Sequence, residues 1–153
     1  MDELINTFQI EEAKKLIKKA KKPVIVRAQD YEFNRKIMEY GNFDVLLFPS
    51  FQKFRRSLRF IDSGLDLTSL NSAFKNKISI GINLKELRRL SLEKRALMIE
   101  GLIKNIILCR KAKVNIIPLA YKDEKDAFSL LLSLGISTIN LNKSIGNLFN
   151  TAN

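Results

Sequence analysis

Apolar and polar positions along this chain follow two periods, and the switches between them divide it into helices and strands. From Ile10 to Lys22 the apolar residues Ile10, Ala13, Leu16, Ile17 and Ala20 recur at the spacing of one helix face. Pro23 stops that helix, and Val24, Ile25, Val26 and Arg27 form a short β-rich run closed by Asp30. Tyr31–Tyr40 returns to helical spacing, with Phe33, Ile37 and Tyr40 on one side and Gly41 as its stop. Asp44–Phe48 is apolar without alternation, as expected of a parallel strand covered on both faces by helices. Ser63-x-x-Asp66 resembles a capping box, and the helix it opens carries Leu67, Leu70 and Phe74 and runs to Asn76. Ile78–Asn83 is the third strand, where Gly81 predicts a close backbone approach. The longest helix, from about Leu92 to Lys113, places Ile99, Leu102, Ile103, Ile106 and Cys109 on a wide apolar face. Asn115–Ala120 is the fourth strand, and Asp123 caps a helix that ends at Gly135. Ser137–Leu141 is a candidate fifth strand, and Asn142–Phe149 a candidate last helix.

Strands alternating with helices, without hairpin turn signals, predict parallel strands joined by right-handed crossovers. The 153 residues read as one α/β domain, residues 1–153, large enough to bury a real core. Closing an eight-stranded barrel takes about 250 residues. The expected architecture is therefore an open or partial TIM-barrel-like parallel sheet of four to five strands with alternating helices.

Charge changes the picture from fold to partner. Lys and Arg number 27 against 16 Asp and Glu, a formal charge of +11. An excess of that size points to nucleic acid ahead of an anionic membrane. The longest nearly apolar run, Ala127–Ile136, is too short to span a bilayer, which takes about 20 residues. The acidic, mixed N-terminus does not read as a signal peptide, and a lone Cys109 fits a reducing, cytoplasmic setting. With no His and one Cys, no Ser-His-Asp triad, Cys-His pair or ordinary zinc site can be built. No glycine-rich phosphate loop is present either. The chain alone is a poor candidate for an enzyme, and no catalytic residue or metal ligand is assigned.

The cations fall into clusters. Lys53, Arg55, Arg56 and Arg59 occupy the loop that follows the second strand, interleaved with Phe51, Phe54 and Phe60. The C-terminal ends of parallel strands carry ligand-binding loops in α/β folds, so these cations are candidate RNA contacts. The phenylalanines can stack on unpaired bases or anchor the loop to the domain. Lys85, Arg88, Arg89, Lys94 and Arg95 form a second cluster, placed in the loop after the third strand and the first turn of the next helix. Cations there oppose the helix dipole, which favours a functional reason for them. Lys14, Lys15, Lys18, Lys19, Lys21 and Lys22 surround the first helix, as a solvated face or as phosphate contacts. An alternative function is a metal-dependent nuclease or phosphoesterase with Asp30, Asp44, Asp62 and Asp66 as ligands, although Asp62 and Asp66 also suit helix capping. A purely protein-binding assembly module, docking through an exposed sheet edge, is the third reading.

Four motifs in order resemble one family. These are Asp44-Val-Leu-Leu-Phe-Pro49, the basic loop with Asp62-Ser-Gly-Leu-Asp66, a strand running into Asn83-Leu-Lys-Glu-Leu87, and Asp126-Ala-Phe-Ser-Leu-Leu-Leu-Ser-Leu-Gly-Ile136. Together they resemble ribonuclease P protein component 3, the TIM-barrel-like subunit of archaeal and eukaryotic ribonuclease P. The similarity runs from about Pro23 to Gly146. Phe60-Ile61 stands where the family has Arg-Lys, and Lys85-Glu86 where it has Arg-Pro. Family members begin with two further βα units, so the chain resembles a short form. The resemblance implies that catalysis belongs to the RNA and its Mg²⁺, that the chain binds no cofactor, and that the complex removes the 5′ leader of precursor tRNA. It also implies two partners: the ribonuclease P RNA, and ribonuclease P protein component 2 in a heterotetramer.

Overall fold

A computed structural model describes residues 4–49, 63–137 and, by backbone alone, 56–57 and 60–61. Five strands form one parallel sheet in the order β1 (Leu4–Ile5), β2 (Ile25–Arg27), β3 (Val45–Phe48), β6 (Ser79–Asn83) and β7 (Ile116–Leu119). Between them run α1 (Ile10–Lys19), α2 (Tyr31–Tyr40), α3 (Leu67–Lys75), α4 (Leu84–Arg89) and α5 (Leu92–Ala112), and α6 (Glu124–Ser133) follows β7. The spatial order of the strands is their order in the chain, so crossovers of one hand place the helices on one face. The expected open α/β sheet of partial TIM-barrel type is what the chain forms.

Two groups of core residues show how the sheet is covered. Val26, Leu46, Phe48, Ile80, Ile82 and Ile116 pack with Ile17, Phe33, Ile37, Leu70, Leu102 and Ile106 from the helices. Residues one position along each strand, Ile25, Val45, Leu47 and Ile117, cluster instead with Leu4 and Leu119, all from strands. β3 is thus buried on both faces, but helices cover one of them and strand side chains meet across the other. That corrects the expectation of helices on both sides. Gly81 permits the close meeting: a Cβ there would lie 2.6 Å from Val45 Cγ1 and 3.2 Å from Leu47 Cδ1.

The remaining differences have local causes. The fifth strand of the sheet is β1 at the N-terminal side, too short for its two residues to show a period. Of the expected strand Ser137–Leu141 only Ser137 is described, outside any strand, and Asn142–Phe149 lies outside the described residues. α1 stops at Lys19 rather than Lys22: Ala20 is already extended, and Pro23 steers the residue before it away from helical geometry. Leu16 is exposed, since α1 ends the layer. α3 buries Ser69, Leu70 and Ala73 and exposes Leu67 and Phe74. It lies between α2 and α5, where close packing favours small side chains over the large ones expected inside. Its capping box is Asp66 with Ser69, three residues later than Ser63-x-x-Asp66. A short antiparallel pair, β4 (Arg56–Ser57) with β5 (Phe60–Ile61), occurs where no hairpin was expected. No helix among the described residues is long and apolar enough to cross a membrane.

Candidate nucleic-acid interface

β3 and β6 run side by side, with Phe48 paired to Ile82. The chain segments that leave their C-terminal ends therefore start as neighbours. One is the basic loop that begins at Pro49; the other is α4. Of the loop cations, Lys53, Arg55 and Arg59 lie outside the described residues, and Arg56 falls in β4 with its side chain undescribed. Phe51, Phe54 and Asp62 are likewise outside.

Asn83 ends β6 and starts α4 in one step. Its side chain is buried, and Oδ1 accepts the Glu86 backbone N–H at 3.0 Å. Glu86, in the first turn, reaches back to Arg27 at the end of β2. Arg27 Nη1 donates to Glu86 Oε2 at 2.6 Å and Nη2 to Oε1 at 2.7 Å. Nη1 also donates to the Pro49 carbonyl at 3.1 Å. Arg27 is 2% exposed. A guanidinium so deeply placed needs its charge matched, and Glu86 matches it. The pair ties the ends of β2, β3 and β6 together and fixes the roll of α4.

This use of Glu86 leaves α4 without a free carboxylate. Lys85, Arg88 and Arg89 are exposed, and none has an ion-pair partner among the described residues. Arg88 and Arg89 lie in the last turn of α4, where cations suit the helix dipole. The expected loop is a helix, so the dipole argument survives only for Lys94 and Arg95, which do sit in the first turn of α5. Lys94 is exposed. The Arg95 guanidinium donates to the Arg88 and Leu90 carbonyls, satisfying groups that the end of α4 would leave open. Arg95 thereby holds α4 against α5.

Asp62 being outside the described residues, the other three aspartates do not converge. Asp44 lies at the N-terminal end of β3 and accepts the Val24 N–H at 2.7 Å. Asp30 and Asp66 lie at the other end of the sheet, as N-caps of α2 and α3. Asp66 accepts the Ser69 N–H at 2.7 Å and the Tyr31 hydroxyl at 2.5 Å. Burial works to raise the Asp66 pKa, but these bonds outweigh it and hold it below the usual value. The same bond to Asp66, with burial, raises that of Tyr31. Cys109 is the core thiol its spacing predicts, with burial pushing its pKa up to about 12.

Arg27 is the residue whose importance the sequence understated. A lone charge ending an apolar strand, Val24-Ile-Val-Arg27, was its one visible signal. In open parallel sheets such a charge needs a partner from a neighbouring strand end, and Glu86 is 59 residues away.

No family model matches the sequence, and no curated protein matches it. Among solved structures, the chain is similar to a chain of the cryo-EM structure of archaeal ribonuclease P with mature tRNA, with a TM-score of 0.69. The two are 21% identical over 97% of this chain, so the likeness is one of fold. The chain spans 64% of the length of that structure's chain.

Proposed function

We infer that this chain is an RNA-binding protein subunit of ribonuclease P, of the component 3 type, that stabilises a catalytic RNA during 5′-leader removal from precursor tRNA. The observation that carries RNA binding is α4: its one carboxylate is turned inward onto Arg27, and Lys85, Arg88 and Arg89 face solvent at the C-terminal ends of the strands. The fold likeness to a chain of archaeal ribonuclease P and the order of the four sequence motifs support the specific assignment. Lys53, Arg55, Arg56 and Arg59 follow β3 in the sequence, whose end lies beside that of β6, and are taken as further RNA contacts, as is Lys94. Arg95 positions α4. Catalysis and its Mg²⁺ belong to the RNA. A component 2 subunit is the protein partner, and Leu92, Ile103 and Ile107 on the outward side of α5 offer apolar surface of the kind a subunit covers.

The test is binding of the full chain to the ribonuclease P RNA encoded by the same genome, as a function of salt. Each phosphate contact contributes about −0.7 to −0.9 to the slope of log K against log salt. R88E/R89E should weaken binding at least tenfold and make the slope shallower, with a cooperative thermal transition retained at a slightly lower Tm. Equal affinity in the variant would remove α4 from the interface.

A further inference from the structure

The opposite end of the sheet carries a second cationic surface. There the chain enters β3, β6 and β7 from helix ends, and each entry passes through a residue at positive φ: Asn42 (63°), Lys77 (57°) and Lys113 (59°). With Lys22, Lys77 and Lys113 rim an open cavity of about 630 Å³ at the N-terminal ends of the strands, with Ser79 and Asn115 among its walls. Asp44 is the one carboxylate in the lining, and the Val24 N–H occupies it.

Three observations separate these lysines from ordinary surface charge. The first is conformational. A left-handed position after a helix is ordinarily taken by Gly or Asn, because a longer side chain raises its energy by about 1 kcal/mol. Asn42 obeys that rule, whereas Lys77 and Lys113 break it at two successive entries. The second concerns the helix dipoles, which these lysines are not needed to balance. Lys75 already stands in the last turn of α3, and Arg110 and Lys111 in that of α5. The third is pairing. Lys22, Lys77 and Lys113 are exposed, and none has an ion-pair partner among the described residues. The side chains of Ser79 and Asn115 make no hydrogen bond among the described residues either, so their donors face the cavity.

Ammonium groups around a wide cavity with neutral hydrogen-bonding walls suit the oxygens of a phosphodiester backbone. We propose that this N-terminal mouth is a second phosphate-binding site, holding an RNA segment other than the one at α4, so that the fold bridges two segments of its RNA. The proposal rests on the RNA-binding reading above. β6 spans five residues, so the two ends of the sheet are roughly 16 Å apart. That exceeds the Debye length of about 8 Å at physiological salt, so the two sites contribute to salt dependence independently.

The decisive variant is Lys77→Gly with Lys113→Gly in the full chain. Glycine is at home at both φ values, so the variant is expected to fold with an unchanged or higher Tm. Its binding to the same ribonuclease P RNA should show a log K–log salt slope shallower by about 1.4–1.8, and an affinity about tenfold lower at physiological salt. Combined with R88E/R89E, the losses should add. An unchanged slope and Kd in the glycine variant, while R88E/R89E weakens binding, would overturn the second site and leave the RNA-binding reading standing. Wild-type protein with no salt-dependent RNA binding would overturn both.

Discussion

Arg27 and Glu86, 59 residues apart in the chain, meet in two parallel hydrogen bonds of 2.6 and 2.7 Å. The pair turns a six-residue helix that would scarcely hold on its own into a fixed platform for Lys85, Arg88 and Arg89. Breaking a buried pair from one side costs about 3–5 kcal/mol. Glu86 is 27% exposed, which lets water enter once it is removed. Glu86→Ala should therefore destabilise the fold by about 2–3 kcal/mol, read as a lower urea midpoint. An unchanged midpoint would mean that the pair does not anchor α4.

The meeting of β3 and β6 gives a second prediction. A methyl group at position 81 would press on Val45 Cγ1 from 2.6 Å, and Val45 is 1% exposed. Gly81→Ala should cost about 1–3 kcal/mol through overpacking. Val45→Ala removes the obstructing methyl, so the double variant should be more stable than the sum of the two single losses by at least about 1 kcal/mol. A double-mutant cycle in urea measures this directly. Strict additivity would show that Val45 and position 81 do not meet.

Tyr31 and Asp66 make stability depend on pH at both ends. Asp66 has a folded-state pKa below its unfolded value, so its contribution is present above the unfolded value and is lost as pH falls through the folded one. Tyr31 has a raised pKa, so its contribution is complete below about pH 10 and is lost as pH rises through the folded value. Tyr31→Phe should therefore lower Tm at neutral pH and flatten both limbs of the Tm–pH curve. Parallel curves for wild type and variant would contradict the link.

The elements legible in the sequence were those with a clear period or a cap of their own. α2 with Gly41, α5 with its buried Cys109, α6 behind Asp123 and the apolar run of β3 all lie where their patterns put them. Periodicity fails for elements too short to repeat their period twice, which is why β1 and α4 were hidden. It also cannot tell which neighbours a helix will have. α3 shows six apolar or small positions that satisfy more than one face, and only its place between α2 and α5 selects Leu70 and Ala73 over Leu67 and Phe74. The candidate interface was legible as chemistry rather than as geometry. A surplus of cations beside strand ends is a matter of composition. Which carboxylate they lose to the interior depends on the Arg27–Glu86 contact, which no local pattern encodes.

The most direct measurement is a reconstitution. The ribonuclease P RNA and the component 2 protein of the same genome would be combined with and without this chain, and precursor-tRNA cleavage followed at limiting Mg²⁺. The proposed subunit role predicts that adding the chain lowers the Mg²⁺ needed for half-maximal cleavage or raises the rate, and that R88E/R89E loses that gain. If the chain binds this RNA tightly yet leaves both quantities unchanged, the kinship with ribonuclease P is one of fold alone.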